Sequence, residues 1–187
     1  LQVGALTHYK RQIDSLRALK SLGKRDHVKL MLIGSGNERD ELKKLAHEFN
    51  IEKRVVFVDS VEESDLPKYY AACDVLIFPS EQTWGLAAVE AMASSKPVIA
   101  SMASGVSEII EHGATGYVVR PTCPGDIAKY VTILIDDPSL CKSIGVNARK
   151  YVQENLSWKR YATGILKTFE LLLENRHKEK GNLESLN

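Results

Sequence analysis

The stretch Asp74-Val75-Leu76-Ile77-Phe78-Pro79, followed by a helical segment from Gly85 to Ser94 and then by Pro97-Val98-Ile99-Ala100-Ser101, decides the fold. Two short apolar runs separated by one helix predict a strand-helix-strand unit of a parallel sheet. Working outward, further strands are expected near Gln2 to Leu6, Val28 to Gly34, Arg54 to Val58 and Tyr117 to Arg120. Between them Leu42, Leu45, Ala46 and Phe49 fall at i, i+3, i+4 and i+7, one apolar helix face, with Asn37 as its expected cap. Similar helices fit Arg11 to Leu22, Ser64 to Cys73, Val106 to His112 and Asp126 to Ile135, and Pro121 to Gly125 reads as a loop within the domain. The alternation predicts an α/β fold with a Rossmann-like, doubly wound, six-stranded parallel sheet. After Pro138 the pattern is wholly helical. It ends in a stripe of Trp158, Tyr161, Ile165, Leu166, Phe169, Leu172 and Leu173 that needs a surface to cover, and from Arg176 onward in a polar, fraying tail.

The chain has 187 residues, 44% of them hydrophobic and 26% charged, enough to withdraw about 70% of its unfolded surface into one core. Its formal charge of +1 lacks the broad positive field of a nucleic-acid binder. The longest stretch without Asp, Glu, Lys or Arg runs only from Pro97 to Ser107, short of the roughly 20 apolar residues of a spanning helix. Cys73, Cys123 and Cys141 are odd in number and widely spaced, which predicts reduced thiols and a cytoplasmic protein. The start at Leu1-Gln2-Val3-Gly4 reads as part of a larger polypeptide. With no His-Glu-x-x-His, no Asp-x-Asp and scattered histidines, neither a catalytic metal nor a cofactor is expected.

In open parallel sheets ligands bind beyond the carboxyl ends of the strands, so the loops after the strands are where chemistry is sought. Glu90 is the only charge in the apolar helix after Trp84, and a carboxylate on such a face is costly unless hydrogen-bonded. It either accepts hydrogen bonds from ligand hydroxyls such as those of a ribose, or snorkels to water or caps a neighbouring backbone. Ahead of it Glu81 and Gln82 could grip sugar hydroxyls, and amides at Gly85 and Leu86 would favour an anion at a helix N-terminus. An ordinary solvated loop is the other reading. Lys10 and Arg11 put two cations at a helix start, where the macrodipole disfavours them unless an anion such as a diphosphate binds, or they form a basic solvated turn. Gly34-Ser35-Gly36 reads as a tight turn, because Arg39 stands where a dinucleotide fingerprint needs its third glycine. Of the histidines only His8 falls in a candidate crevice loop.

Together these segments resemble the carboxyl-terminal, nucleotide-sugar-binding domain of family-4 retaining glycosyltransferases of the two-domain GT-B fold. The resemblance covers roughly Val3 to Phe169 and is carried mainly by Phe78 to Ala93 with Lys96 to Ser101. It is supported by Val3-Gly4 with Lys10, the Gly34 turn, Gly105 to Glu108, Gly113 to Val118 and Ser157-Trp158. It implies a donor-binding domain over residues 1–155, a crossing helix over 156–176, a polar tail over 177–187, and an amino-terminal acceptor domain outside this chain. It also implies a nucleotide diphosphate sugar, with UDP or GDP, as donor substrate, and transfer to a glycan, lipid or other acceptor. By position, Glu90 would bind the ribose, Lys10 helped by Arg11 the diphosphate, and Thr83, Trp84, Gly85 and Leu86 the phosphate and sugar. Glu81 and Gln82 would stand at the catalytic position.

Two departures matter. The first glutamate of the family's signature, eight residues before Glu90, is Gln82, with Glu81 displaced by one, and the usual arginine after Gly4 is Ala5. They motivate a second reading, a degenerate module that binds a nucleotide sugar without turnover. A GT-B-type nucleotide-sugar epimerase is a third, and a dinucleotide-dependent oxidoreductase fits least. The isolated chain is expected to bind but not transfer, to self-associate weakly through its last helix, and in the full-length protein to lie in the cytoplasm, peripheral to the membrane.

Overall fold

The computed structural model describes residues 1–81 and 84–184, the last eleven by backbone alone. Two compact units make up the chain, Leu1–Lys150 and Tyr151–Asn187. In the first, strands β1 (Gln2–Val3), β2 (Leu30–Ile33), β3 (Val55–Val58), β4 (Leu76–Phe78), β5 (Val98–Ser101) and β6 (Gly116–Val119) are all parallel to their neighbours. Helices α1 (Gln12–Ser21), α2 (Arg39–Glu48), α3 (Leu66–Ala72), α4 (Leu86–Ala93) and α5 (Pro124–Asp136) connect or follow them. Helix α6 (Pro138–Asn155) runs across the division, and α7 (Trp158–Glu184) belongs to the second unit.

The strands that read as unbroken apolar runs are those covered on both faces. Every residue of β4 and β5 is buried, whereas the edge strand β3 leaves Val56 exposed. Leu16, Leu32, Leu42, Ile99, Ile127, Leu134 and Ile144 form the centre of a core that spans both halves.

The expected six-stranded sheet is instead two three-stranded sheets, ordered β1-β2-β3 and β4-β5-β6. β1 holds only two residues before Gly4, at φ +143°, turns the chain away, so no ladder of strand length forms beside β4. The two sheets meet at Leu1, whose backbone nitrogen donates to Val75 O (2.9 Å) and whose carbonyl accepts from Ile77 N–H (2.8 Å). Read across that seam the order is 3-2-1-4-5-6, which reverses direction between β1 and β4.

Other expectations change locally. Asn37 does not cap α2. Glu38 holds the N-cap position without a side-chain bond, and its N–H is taken by Leu6 O. The helix expected from Val106 to His112 is a 3-10 turn, Gly105–Ile109, because Ile110 is already extended and His112 bridges to Gly116. The loop expected from Pro121 to Gly125 is cut short by α5, for which Pro124 supplies a preset first turn. The chain beyond Arg176, expected to fray, is helical to Glu184, and residues 185–187 lie outside those described.

Gly34 shows how the strand ends are brought together. At φ +138° it lies against Gly4, and a Cβ there would stand 2.2 Å from Gly4 O. Gly34→Ala is therefore expected to destabilise the fold by roughly 1–3 kcal/mol or more, visible as a lowered urea midpoint. At the end of β6, Arg120 Nε donates to Asp126 Oδ2 (2.8 Å) and Nη2 to Oδ1 (3.0 Å), and this hydrogen bonding holds the Asp126 carboxyl down to about 2. Since the folded value lies below the unfolded one, near ~4, the pair stabilises above that range and stops doing so as pH falls toward 2. Asp126→Asn should lower the urea midpoint at pH 6, and the two midpoints should converge as the pH is lowered toward 2.

Candidate functional site

Where strand order reverses, the loops after the two flanking strands diverge and leave a crevice. Here those loops follow β1 and β4, and they are tied across the gap by the Glu81 N–H, which donates to Tyr9 O (2.9 Å).

The loop after β1 passes through a 3-10 turn, His8–Lys10, and reaches α1 through Arg11, whose left-handed backbone (φ 56°) sets the helix direction. Two buried glutamines hold it from beneath. Gln2 Nε2 donates to Lys10 O (2.8 Å) while Gln2 Oε1 accepts from the Ser15 hydroxyl (2.7 Å), and Gln12 Nε2 donates to Ala5 O (2.9 Å). Lys10 Nζ lies 5.5 Å from the centre of the Phe78 ring and 5.7 Å from that of Tyr9. Among the described residues no carboxylate lies within ion-pair distance of it.

Arg11 is placed differently from Lys10. Its Nε donates to Asp14 Oδ2 (2.8 Å) and its Nη2 approaches Oδ1 (3.3 Å), a two-pronged pair with a carboxylate only 1% exposed. The same Nε is 3.7 Å from Glu81 Oε1. Arg11 thus neutralises Asp14 and orients Glu81, which leaves Lys10 as the cation of this loop without a carboxylate partner.

On the other side, Gly85 at φ +104° is the N-cap of α4, and among the described residues no side chain caps the helix. A Cβ at Gly85 would come within 3.0 Å of the Phe78 ring and 2.9 Å of Val106 Cβ. Lys10 and Gly85 therefore share Phe78, the last residue of β4, as a floor. Uncapped amides and the helix dipole give this end of α4 a positive character, which an anion satisfies. Trp84 and Leu86 are exposed beside it, and a Cβ at Gly105, in the loop after β5, would stand 3.0 Å from the Trp84 ring. Gln82 and Thr83 lie outside the described residues.

Glu90 is half-buried in α4, and its Oε2 accepts a hydrogen bond from the Tyr70 hydroxyl at 2.6 Å. Burial, reinforced by that bond, pushes the Tyr70 phenol far above its usual value. Among the described residues Glu90 Oε1 has no hydrogen-bond partner, and it is not one of the enclosed unpartnered atoms, so it is accessible to solvent. His8 stands at the opposite rim with Nδ1 3.7 Å from Glu38 Oε1, and the Gly34 turn packs on the β1 loop, the tight-turn role its spacing suggested.

The structure thus brings Lys10, Arg11, Glu81, Trp84, Gly85 and Leu86 to the facing loops, with Glu90 one turn into α4. Sequence reasoning missed Gln2, Gln12, Ser15 and Tyr70. For three of them the available signal was a polar side chain at an apolar position of a strand or helix.

The comparisons accord with this geometry. Residues 1–151 match the family model described as glycosyl transferases group 1. The chain belongs to that family. An uncharacterised glycosyltransferase of Methanocaldococcus jannaschii is 35% identical over 175 residues, covering 93% of this chain and 45% of its own length. The Anabaena protein HepE, solved in complex with UDP, superposes with a TM-score of 0.79 at 27% identity, over 90% of this chain and 48% of that one. The C-terminal domain of LpcC, a glycosyl transferase group 1 family protein from Francisella tularensis, gives 0.77 at 27% identity, over 84% of this chain and 85% of that one. The chain spans somewhat less than half the length of the curated relatives it matches. As a group 1 glycosyltransferase domain it has the Rossmann-like α/β architecture of the GT-B family.

The loop that carries Lys10 rests on Gln2. Removing that amide strands a carbonyl and a hydroxyl inside the domain, which costs about 1–3 kcal/mol. Gln2→Ala is expected to lower the free energy of unfolding in urea by that amount, with an unchanged m-value.

Proposed function

We propose that this chain is the donor half of a retaining glycosyltransferase, binding a nucleotide diphosphate sugar in the crevice between the β1 and β4 loops. The observation that carries the reading is Glu90: a half-buried carboxylate with one oxygen anchored and the other accessible, one turn into the helix that starts at Gly85. In this reading Glu90 accepts the ribose hydroxyls. Lys10 faces the diphosphate, and the amides around Gly85 and Leu86 hold phosphate and sugar. At about 4 Å and an effective dielectric near 20, one cation against one phosphate charge amounts to roughly 4 kcal/mol before desolvation. Arg11 serves by approaching Glu81, which together with Gln82 is assigned the catalytic role, while Thr83 and Trp84 are assigned to binding the donor. HepE supports the reading because its solved complexes hold UDP, and with glucose or as UDP-glucose the sugar portion as well.

A group developing positive charge on the transferred sugar is stabilised by the departing diphosphate and by acceptors placed around it. The acceptor, whether glycan, lipid or another molecule, is assigned to a further domain of a longer polypeptide, in keeping with the length of the relatives. This chain is the C-terminal domain of that polypeptide. Helix α7 presents Trp158, Tyr161, Leu166 and Phe169 exposed, a stripe suited to covering such a domain or, in the isolated chain, to weak self-association. No described helix is long and apolar enough to cross a membrane. In this reading the protein works in the cytoplasm, at the membrane surface when its acceptor is a lipid. Ala5 and Gln82, which remove a cation and an anion from the family's pattern, favour a second reading, binding without turnover.

Calorimetry of this chain with UDP, GDP and ADP tests the reading. One nucleotide should bind with a Kd near ~1 mM, about −4 kcal/mol, as expected for half a cleft. Glu90→Ala should weaken it more than tenfold, and Lys10→Ala should weaken the diphosphate while leaving the corresponding nucleoside unaffected. Absence of binding by all three at several millimolar would overturn the proposal.

A further inference from the structure

Among the described residues Tyr70 is the side chain hydrogen-bonded to Glu90. It sits in α3, only 2% exposed, and its hydroxyl donates to Glu90 Oε2 at 2.6 Å, the short distance typical of a hydroxyl on a carboxylate. A phenol this deep has no water to turn to, so its donor must find a protein acceptor. The same end of α3 is also held through its backbone, where Lys96 Nζ, just beyond α4, donates to the O of Ala71, the residue after Tyr70 (2.8 Å). The hydroxyl therefore approaches Glu90 from a backbone that is itself anchored next to Tyr70.

A glutamate has three side-chain torsions, the last of them broad and only roughly two-fold. Left alone on the surface of α4, the carboxylate would sample many orientations, and a ligand would have to select one. We propose that Tyr70 is a positioning residue of the donor site: by holding Oε2 it fixes the Glu90 carboxylate with Oε1 presented to the ribose hydroxyls of the bound nucleotide. This rests on the assignment of Glu90 to the ribose. Tyr70 itself does not touch the ligand. Burial, reinforced by the bond to Glu90, raises the phenol above its usual range, so Tyr70 remains a donor at neutral pH.

The test is ribose discrimination, which a packing role would not alter. The parent chain, Tyr70→Phe and Glu90→Ala are titrated with the nucleoside diphosphate that the parent binds and with its 2′,3′-dideoxy analogue. Tyr70→Phe should weaken the ribonucleotide by about 3- to 10-fold, the range for releasing one ordered side chain, and change the dideoxy analogue by less than about twofold. Glu90→Ala should abolish the discrimination. In the Glu90→Ala background, Tyr70→Phe should have no further effect on either ligand.

Equal weakening of both ligands by Tyr70→Phe, or none, with Glu90→Ala still abolishing discrimination, would overturn the role of Tyr70 and leave Glu90 standing. Full discrimination retained in Glu90→Ala would remove both, as would a parent chain that binds no nucleotide. Should Tyr70→Phe fail to fold, the parent suffices. The Tyr70 hydroxyl proton, followed by NMR, should remain slow to exchange and hydrogen-bonded when the nucleotide is added. Its loss on binding would show that Glu90 abandons Tyr70 for the ligand, and the proposal would fall.

Discussion

Two loops that leave neighbouring parallel strands on opposite sides of a strand-order reversal have no reason of their own to stay together. The Glu81 N–H to Tyr9 O hydrogen bond, backed by the Arg11 approach to Glu81, is what joins them here. Beneath it, the seam between the two sheets is only the pair of backbone bonds made by Leu1. Lys10 and Gly85 can use Phe78 as a common floor because these ties keep the β1 and β4 loops in register.

The charges of the crevice divide into those already spent and those still available. Arg11, the more rigid donor, is committed to a buried Asp14, and Glu81 lies within reach of the same guanidinium. Among the described residues Lys10 has aromatic rings but no carboxylate beside its ammonium, and no side chain caps the N-terminus of α4. A chain with net charge of only +1 thereby concentrates an anion-seeking region in one place, without the extended positive surface that would draw polyanions.

Much of the fold could be read from the sequence because parallel strands covered on both faces leave a simple trace. Leu76-Ile77-Phe78 and Val98-Ile99-Ala100 stand out as apolar runs, and the helix between them has one charge. That single charge also made Glu90 visible. What the sequence did not reveal are partners supplied by distant segments. Tyr70 reads as an ordinary core aromatic until α3 is laid beside α4, twenty residues on. Gln2 and Gln12 look like surface polar residues until the loop between them folds back over both. The division of the sheet was hidden for another reason. Gly4 ends β1 after two residues, whereas the apolar pattern continues to Leu6, which enters the core from the loop instead. Arg11 and Asp14, three apart at a helix start, were a local pair that charge spacing could have exposed.

The amide of Gln2 has a consequence for how the domain responds to its ligand. Its two hydrogen bonds, to Lys10 O and from Ser15, lie in the interior and form when the chain folds. The conformational entropy of the Lys10 loop is lost at that stage, not upon encounter with an anion. Occupancy of the crevice then has little backbone disorder left to remove, so a ligand would be recognised with small heat-capacity and mobility changes in this loop. Whatever adaptation accompanies binding falls to the opposite wall, at the side chains of Trp84 and Leu86.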